Sequence, residues 1–429
     1  MKKINNLYLY PEIRILKGIG IFSSKELDFE SHFEVIHFPQ KTIVTTEIKD
    51  NKSNLIDIRD SDGYWSLKGL TEENFNIYAE NLLFTDLTNN KLTLYSFKDF
   101  TIEKSKIDSF TSAEFPLVGL YKGNFNTKIE NWEISIVGNK EIIEKIQEKS
   151  KNWNMQLEGL HLKLVKPNFS KDKFLSKAKD ITSLLSLALG NDKVFNRQLY
   201  YQENELSQEY WRRMVDHNFG AGASVPDCKL DIFLKKSLHI YEKWDAKKKK
   251  IFYSTVTGIN SSSRGFLEDR ILRICIAWEG LAGSWSKNKK SSNSELEPLK
   301  KMLLETLEGS NLPSSVDKDF IKTRISSSLD WEKATDSLTN FSNQYLLNTE
   351  KLKLDFKSLV KVRNDIAHSG LFRKKYTTEF IIDLINNHKL ALQVILLKEL
   401  GYDGLVVTRK NKWIAHAKME ELTKPGIQQ

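Results

Sequence analysis

Apolar and polar residues alternate over most of the stretch from Ile15 to about Pro167. Leu92 and Leu94 alternate with Thr93 and Tyr95, Trp132, Ile134 and Ile136 with Glu133 and Ser135, and Leu160, Leu162 and Leu164 with His161 and Lys163. A period of two is that of a strand with one face buried. Asp62-Gly63 and Asn89-Asn90 supply turn chemistry between the runs. The pattern predicts an antiparallel sandwich or open barrel, interrupted by one helix from Glu141 to Lys151.

After Pro167 the period lengthens. Phe174, Ala178, Ile181, Leu185 and Ala188 fall at helical spacing ahead of Gly190, which reads as a C-terminal cap. The loop from Phe219 to Pro226 leads to a helix near Leu230 to Trp244, and Gly258 to Gly265, with its three serines, reads as a hinge into a last domain. That domain is expected to be helical throughout. Leu267, Ile271, Ile274 and Trp278 mark one face of a first helix, which ends at the polar stretch Ser284 to Ser294. Further helices follow at Leu296 to Glu308, Phe320 to Ser328, Trp331 to Leu347, Leu354 to about His368 and Thr378 to Leu400; the last is apolar on most sides from Leu390 and therefore central. The expected fold class is α+β: a strand-rich domain over residues 1–167, a helical connecting region over 168–257 and an all-α bundle over 258–429.

Composition adds limits. A 429-residue chain exceeds the roughly 250–300 residues at which one core stops growing, so several domains are expected. With 40% hydrophobic and 28% charged residues it is a folding rather than a disordered composition. A formal charge of +9 favours polyanionic partners without naming one. Two cysteines, Cys228 and Cys275, leave no room for a disulfide framework or a cysteine zinc site and fit a reducing cytoplasm. Leu7 to Pro11, behind Met1-Lys2-Lys3, is too short for a secretory apolar region, and no apolar run reaches the roughly 20 residues of a membrane span, so no membrane partner is expected. His32 and His37 lie five apart in a strand region, on opposite faces, which argues against a shared metal.

Chemistry concentrates in Arg363-Asn364-Asp365-Ile366-Ala367-His368. Phe356, Leu359, Val362 and Ile366 give this segment an apolar helical stripe, and Gly370 supplies a stop. On an ideal helix Arg363 and His368 are splayed by roughly 140°, whereas Asn364 and His368 stack on one face. Cooperation of the two requires a long reach by Arg363, a loosened helix end near Gly370, or a second subunit. The pair suits RNA cleavage by its own 2′-hydroxyl: imidazole exchanges protons near neutral pH, and a guanidinium holds a phosphate bidentately as charge builds on it. The helix C-terminus favours a cation, so His368 serves equally as acid or as base. The structural alternatives are a pairing of Arg363 with Glu279 or Asp365 and a capping role for His368. Lys247 to Lys250 and Arg373-Lys374-Lys375 are ordinary solvated charge or phosphate contacts, the second cluster being well placed beside the motif to hold RNA.

Arg363, four intervening residues and His368, with Asn364 directly after the arginine and Glu279 in Ala277-Trp278-Glu279-Gly280-Leu281, resemble the HEPN ribonucleases. The strand-rich first half, with Ser31-His32-Phe33 and Val35-Ile36-His37-Phe38, resembles the ApeA-like proteins of bacterial antiphage defence. That resemblance implies an endoribonuclease without metal or other cofactor, working on RNA, tRNA among the candidates. It also implies a homodimer with facing motif helices, activated by a phage-derived trigger in abortive infection, the first half acting as sensor or regulator. Arg363, His368 and Asn364 would be catalytic, Glu279 and Asp365 supporting. A HEPN domain that grips RNA or a partner without cutting is the alternative. Gly370 stands where HEPN toxins silenced by nucleotidylation carry tyrosine, so that form of silencing is not expected.

Overall fold

A computed structural model describes residues 14–25, 27–38, 41–48, 64–88, 90–96, 100–104, 107, 109–118, 124–138, 158–193, 195, 197–211, 223–286, 297–310, 313, 317–330, 334–372, 376–410 and 413–423. The expected helix at Glu141 to Lys151 and the Asp62-Gly63 turn lie outside them. Strand-rich and helical halves follow one another as expected, and the chain divides into compact units at residues 1–243 and 244–429.

The first unit is built on one antiparallel sheet. Strands β1 (Arg14–Ser23), β2 (Asp28–Phe38), β3 (Lys41–Glu47), β4 (Tyr64–Thr71), β5 (Asn76–Thr88) and β6 (Lys91–Ser96) pair in the order β4-β1-β2-β3-β6-β5, and β4 pairs again with β5. This closes a barrel and removes the free edges an open sheet would present. Alternation fills the interior: Leu16 and Phe22 of β1, Phe33 and Val35 of β2, Trp65 and Leu67 of β4, and Leu92 and Leu94 of β6 are all buried. Gly20 faces Gly69 across β1 and β4, and a Cβ on Gly69 would come within 2.7 Å of the Ile19 carbonyl oxygen. Such a close approach requires glycine. Asn90, with φ 62°, makes the β5–β6 turn where turn chemistry was expected.

From β5 the sheet continues, outside the barrel, as an open layer. Its order is β7 (Phe100–Glu103), β13 (Glu205–Trp211), β12 (Arg197–Gln202), β8 (Phe110–Val118), β11 (Glu158–Phe169), β10 (Trp132–Val137) and β9 (Asn124–Ile129). Helix α1 (Lys171–Leu189) lies on it through Phe174, Ala178, Ile181, Leu185 and Ala188, with Phe174 edge-on to Trp132 at 5.3 Å. It ends at Gly190 with φ 66°, the expected cap. Helix α2 (Leu230–Glu242) packs beside β9.

The β12–β13 hairpin corrects the expectation of a helical connecting region. Leu199-Tyr200-Tyr201 and Tyr210-Trp211 are strand formers, and Glu203 and Asn204, both at positive φ, form the tight turn between the strands.

The second unit gathers around α4 (Leu267–Trp285), which packs against α3 (Ala246–Ser261), α7 (Ala334–Gln344), α8 (Phe356–Ser369) and α9 (Thr378–Glu399). Trp278 of α4 is fully buried and sits edge-on to Phe341 of α7, Phe356 of α8 and His388 of α9, at 6.3, 5.0 and 5.9 Å. Four helices therefore share one aromatic node, and T-shaped geometry suits the ring quadrupoles. Helix α5 (Glu297–Gly309) packs on α6 (Lys318–Asp330).

Two expectations fail in this unit. Gly258 lies inside α3, which continues to Ser261, so the anticipated hinge does not begin there; a Cβ at Gly258 would lie 3.6 Å from the Arg273 carbonyl oxygen, an ordinary contact, so the position does not demand glycine. The unit is also not helical throughout: β14 (Leu405–Lys410) pairs with β15 (Trp413–Lys418) ahead of α10 (Met419–Leu422). Runs of six residues are too short for periodicity to separate strand from helix. Helix α9 has the length and apolarity of a membrane span, but most of that stretch is buried in the bundle.

Candidate active site on the motif helix

Helix α8 starts where the Asp355 carboxylate accepts a hydrogen bond from the Ser358 amide at 2.8 Å, pairing one of the donors that every helix start leaves over. Its buried stripe is Phe356, Leu359, Val362, Asp365 and Ile366. It ends at Gly370, whose φ of 71° is the left-handed cap and whose amide donates to the Ile366 carbonyl at 2.7 Å. The helix is wound through Ser369, so the loosened end that would swing Arg363 and His368 together is not formed.

The half-buried Arg363 points toward α4. One guanidinium nitrogen donates to the Glu279 carboxylate, and Nη1 donates to Asn364 Oδ1 at 2.8 Å. Of the two acids weighed as partners, it takes Glu279. Asp365 is turned into the bundle, 7% exposed, and accepts a hydrogen bond from the Tyr376 hydroxyl at 2.8 Å. His368 is exposed in the last turn, and among the described residues nothing is hydrogen-bonded to its ring. The capping role falls to Gly370. No hydrogen bond joins Arg363 to His368 among the described residues. Arg373, Lys374 and Lys375 lie outside them.

The surroundings limit the chemistry. Cys275, one turn before Glu279, points its thiol at the Leu359 carbonyl; burial, reinforced by the Glu279 charge and opposed by Arg363, pushes it up to about 12. It stays a thiol and is a packing residue, not a nucleophile. His388 anchors the other end of α8. Its Nε2 donates to the Asp355 carbonyl at 3.3 Å, and burial pulls the ring down to about 4, so it is neutral. Next to Glu279, α4 is open: Ile276 is 67% exposed, and Cβ atoms built on Gly280 and Gly283 meet nothing within 4 Å. Among the described residues no group of His, Cys, Asp or Glu could hold a metal ion.

Sequence reasoning missed Tyr376 and His388. A signal for the first was present, since Asp365 sits three places after Val362, inside the apolar stripe, where a carboxylate needs a buried donor. His388 stands in the polar run Asn386-Asn387-His388-Lys389, and only the docking of α9 against Trp278 and Phe356 buries its ring.

Residues 272–403, from the first turns of α4 to just past α9, match the family model described as Apea-like HEPN. No curated protein and no solved structure compared with the chain is similar to it.

Proposed function

From a C-terminal bundle that carries a HEPN domain of the ApeA-like family, we propose that this protein is an endoribonuclease of antiphage defence, cutting RNA by attack of its own 2′-hydroxyl. The observation that carries the reading is Arg363, held half-exposed by Glu279 and Asn364 on the helix that ends with the exposed His368. In the cut, the 2′-oxygen bonds to phosphorus as the bond to the 5′-oxygen breaks, leaving a 2′,3′-cyclic phosphate and a 5′-hydroxyl. One proton leaves the 2′-hydroxyl and one reaches the departing oxygen, so neither oxidant nor metal is required. Imidazole takes the first and imidazolium gives the second, while the guanidinium offsets charge on the phosphate.

One chain keeps Arg363 and His368 on different sides of an intact helix, so the proposal includes a homodimer in which two motif helices face each other. The open face of α4 at Ile276, Gly280 and Gly283 supports such an approach. The first unit would act as the sensor or restraint, answering a phage-derived trigger. Where the two residues stay apart, the second reading holds: a HEPN domain that binds RNA or a partner without cutting.

The test incubates purified full-length protein with total RNA, tRNA included, in chelator, with and without phage extract. Wild type should cut, and Arg363→Ala and His368→Ala should each lose about a hundredfold or more in rate. Intact RNA in every wild-type lane leaves the binding reading standing. Cleavage that needs added magnesium overturns the metal-free chemistry.

A further inference from the structure

Asp365 occupies a position where the α8 pattern calls for a hydrocarbon. Its neighbours on the buried stripe are Leu359, Val362 and Ile366, and it is 7% exposed. A carboxylate there is tolerated only with donors of its own, and the Tyr376 hydroxyl is one, at 2.8 Å. Tyr376 is itself fixed. Its ring stacks on Phe380 with 6.0 Å between centroids and 10° between planes, and Thr377 Oγ1 caps the start of α9 by accepting from the Phe380 amide at 3.2 Å. The hydrogen bond therefore ties the last turn of α8 to the head of the most buried helix of the bundle.

His368 belongs to that tied turn. It follows Asp365 by three residues, so the two lie within about 60° of each other around the helix axis. Ser369 completes the closure: its hydroxyl lies 2.6 Å from the Asp365 carbonyl and 2.8 Å from that of Leu371. Helix ends otherwise fray, because their last carbonyls lack intrahelical partners.

We propose that Tyr376 is a positioning residue for His368: through Asp365 it keeps the final turn of α8 wound to Gly370 and so fixes where the imidazole stands. Its effect on cleavage rests on the function proposed above; its effect on the helix end does not.

The experiment compares full-length wild type with Tyr376→Phe, Asp365→Ala, Asp365→Asn and the double variant Tyr376→Phe/Asp365→Ala, reading cleavage kinetics and amide hydrogen exchange. Tyr376→Phe should lower kcat about tenfold with KM within about twofold, as expected of a displaced catalytic group. Amides of residues 366–370 should exchange roughly tenfold faster, with those of α9 unchanged. Asp365→Asn, which keeps an acceptor, should fall between wild type and Asp365→Ala, and the double variant should be no slower than Asp365→Ala alone. Full activity in Tyr376→Phe, additive losses in the double variant, a loss carried by KM, or unchanged exchange at 366–370 would each overturn the proposal. A wild type that cuts nothing defeats the proposed function instead, and the exchange arm then decides the tie by itself. If Tyr376→Phe melts as a whole, Asp365→Asn carries the same two readouts.

Discussion

Among single residues, Glu279 sets what Arg363 can do. A guanidinium with five donors and a free stem adopts many directions; the carboxylate on α4 and the Asn364 amide oxygen leave it one. Because both partners are partly exposed, the pair adds little to stability, and its consequence is direction. Glu279→Gln keeps shape and one acceptor but loses the charge. It should lower kcat/KM for RNA about tenfold, a change of about 1.4 kcal/mol in transition-state binding, with no shift in melting temperature. Steady-state kinetics beside a thermal melt checks this, and a rise in kcat/KM would mean that Glu279 competes with phosphate instead of aiming the arginine. The motif itself was legible in the sequence, because Arg363, Asn364 and His368 are fixed by spacing alone. The partner of Arg363 was not, because the choice between Glu279 and Asp365 is made only where two helices dock.

Four helices of the second unit meet at Trp278, and His388 brings a titratable ring to that junction. Burial pulls this imidazole from its ordinary 6.5 down to about 4. The unfolded chain therefore binds a proton that the folded bundle refuses between those values. Stability is fully present above about pH 6.5, falls as pH drops through the window by up to about 1.4 kcal/mol per pH unit, and flattens below about 4. Urea unfolding followed by tryptophan fluorescence at pH 7.5, 6 and 5 measures the slope. His388→Gln should flatten it; an unchanged slope would place the proton uptake elsewhere, as on His161 of the first unit, which burial together with the nearby Arg197 charge pulls down to about 3. Long elements with a sustained period were readable: α1, α4, α8 and α9 stand within a few residues of expectation, and Gly190 and Gly370 end two of them. The short β12–β13 and β14–β15 hairpins were not, because six or seven residues hold too few repeats to fix a period.

At the scale of the whole molecule, the formal charge of +9 carries a prediction that does not depend on the cut. RNA binding by the His368→Ala protein should weaken roughly tenfold between about 50 and 200 mM salt, as for the release of counterions from about two phosphates. Filter binding across that range checks it, and a flat response would remove the polyanion from the list of partners. The order of strand-rich and helical halves, the presence of the motif helix and the residues on it follow from the sequence by itself, because periodicity and end caps are local properties of a chain. Closure of the first six strands into a barrel, the turning of Asp365 into the bundle toward Tyr376 and the aiming of Arg363 at Glu279 were decided only by tertiary structure. Each joins residues far apart in the chain or picks one partner from several, and no local pattern encodes that choice.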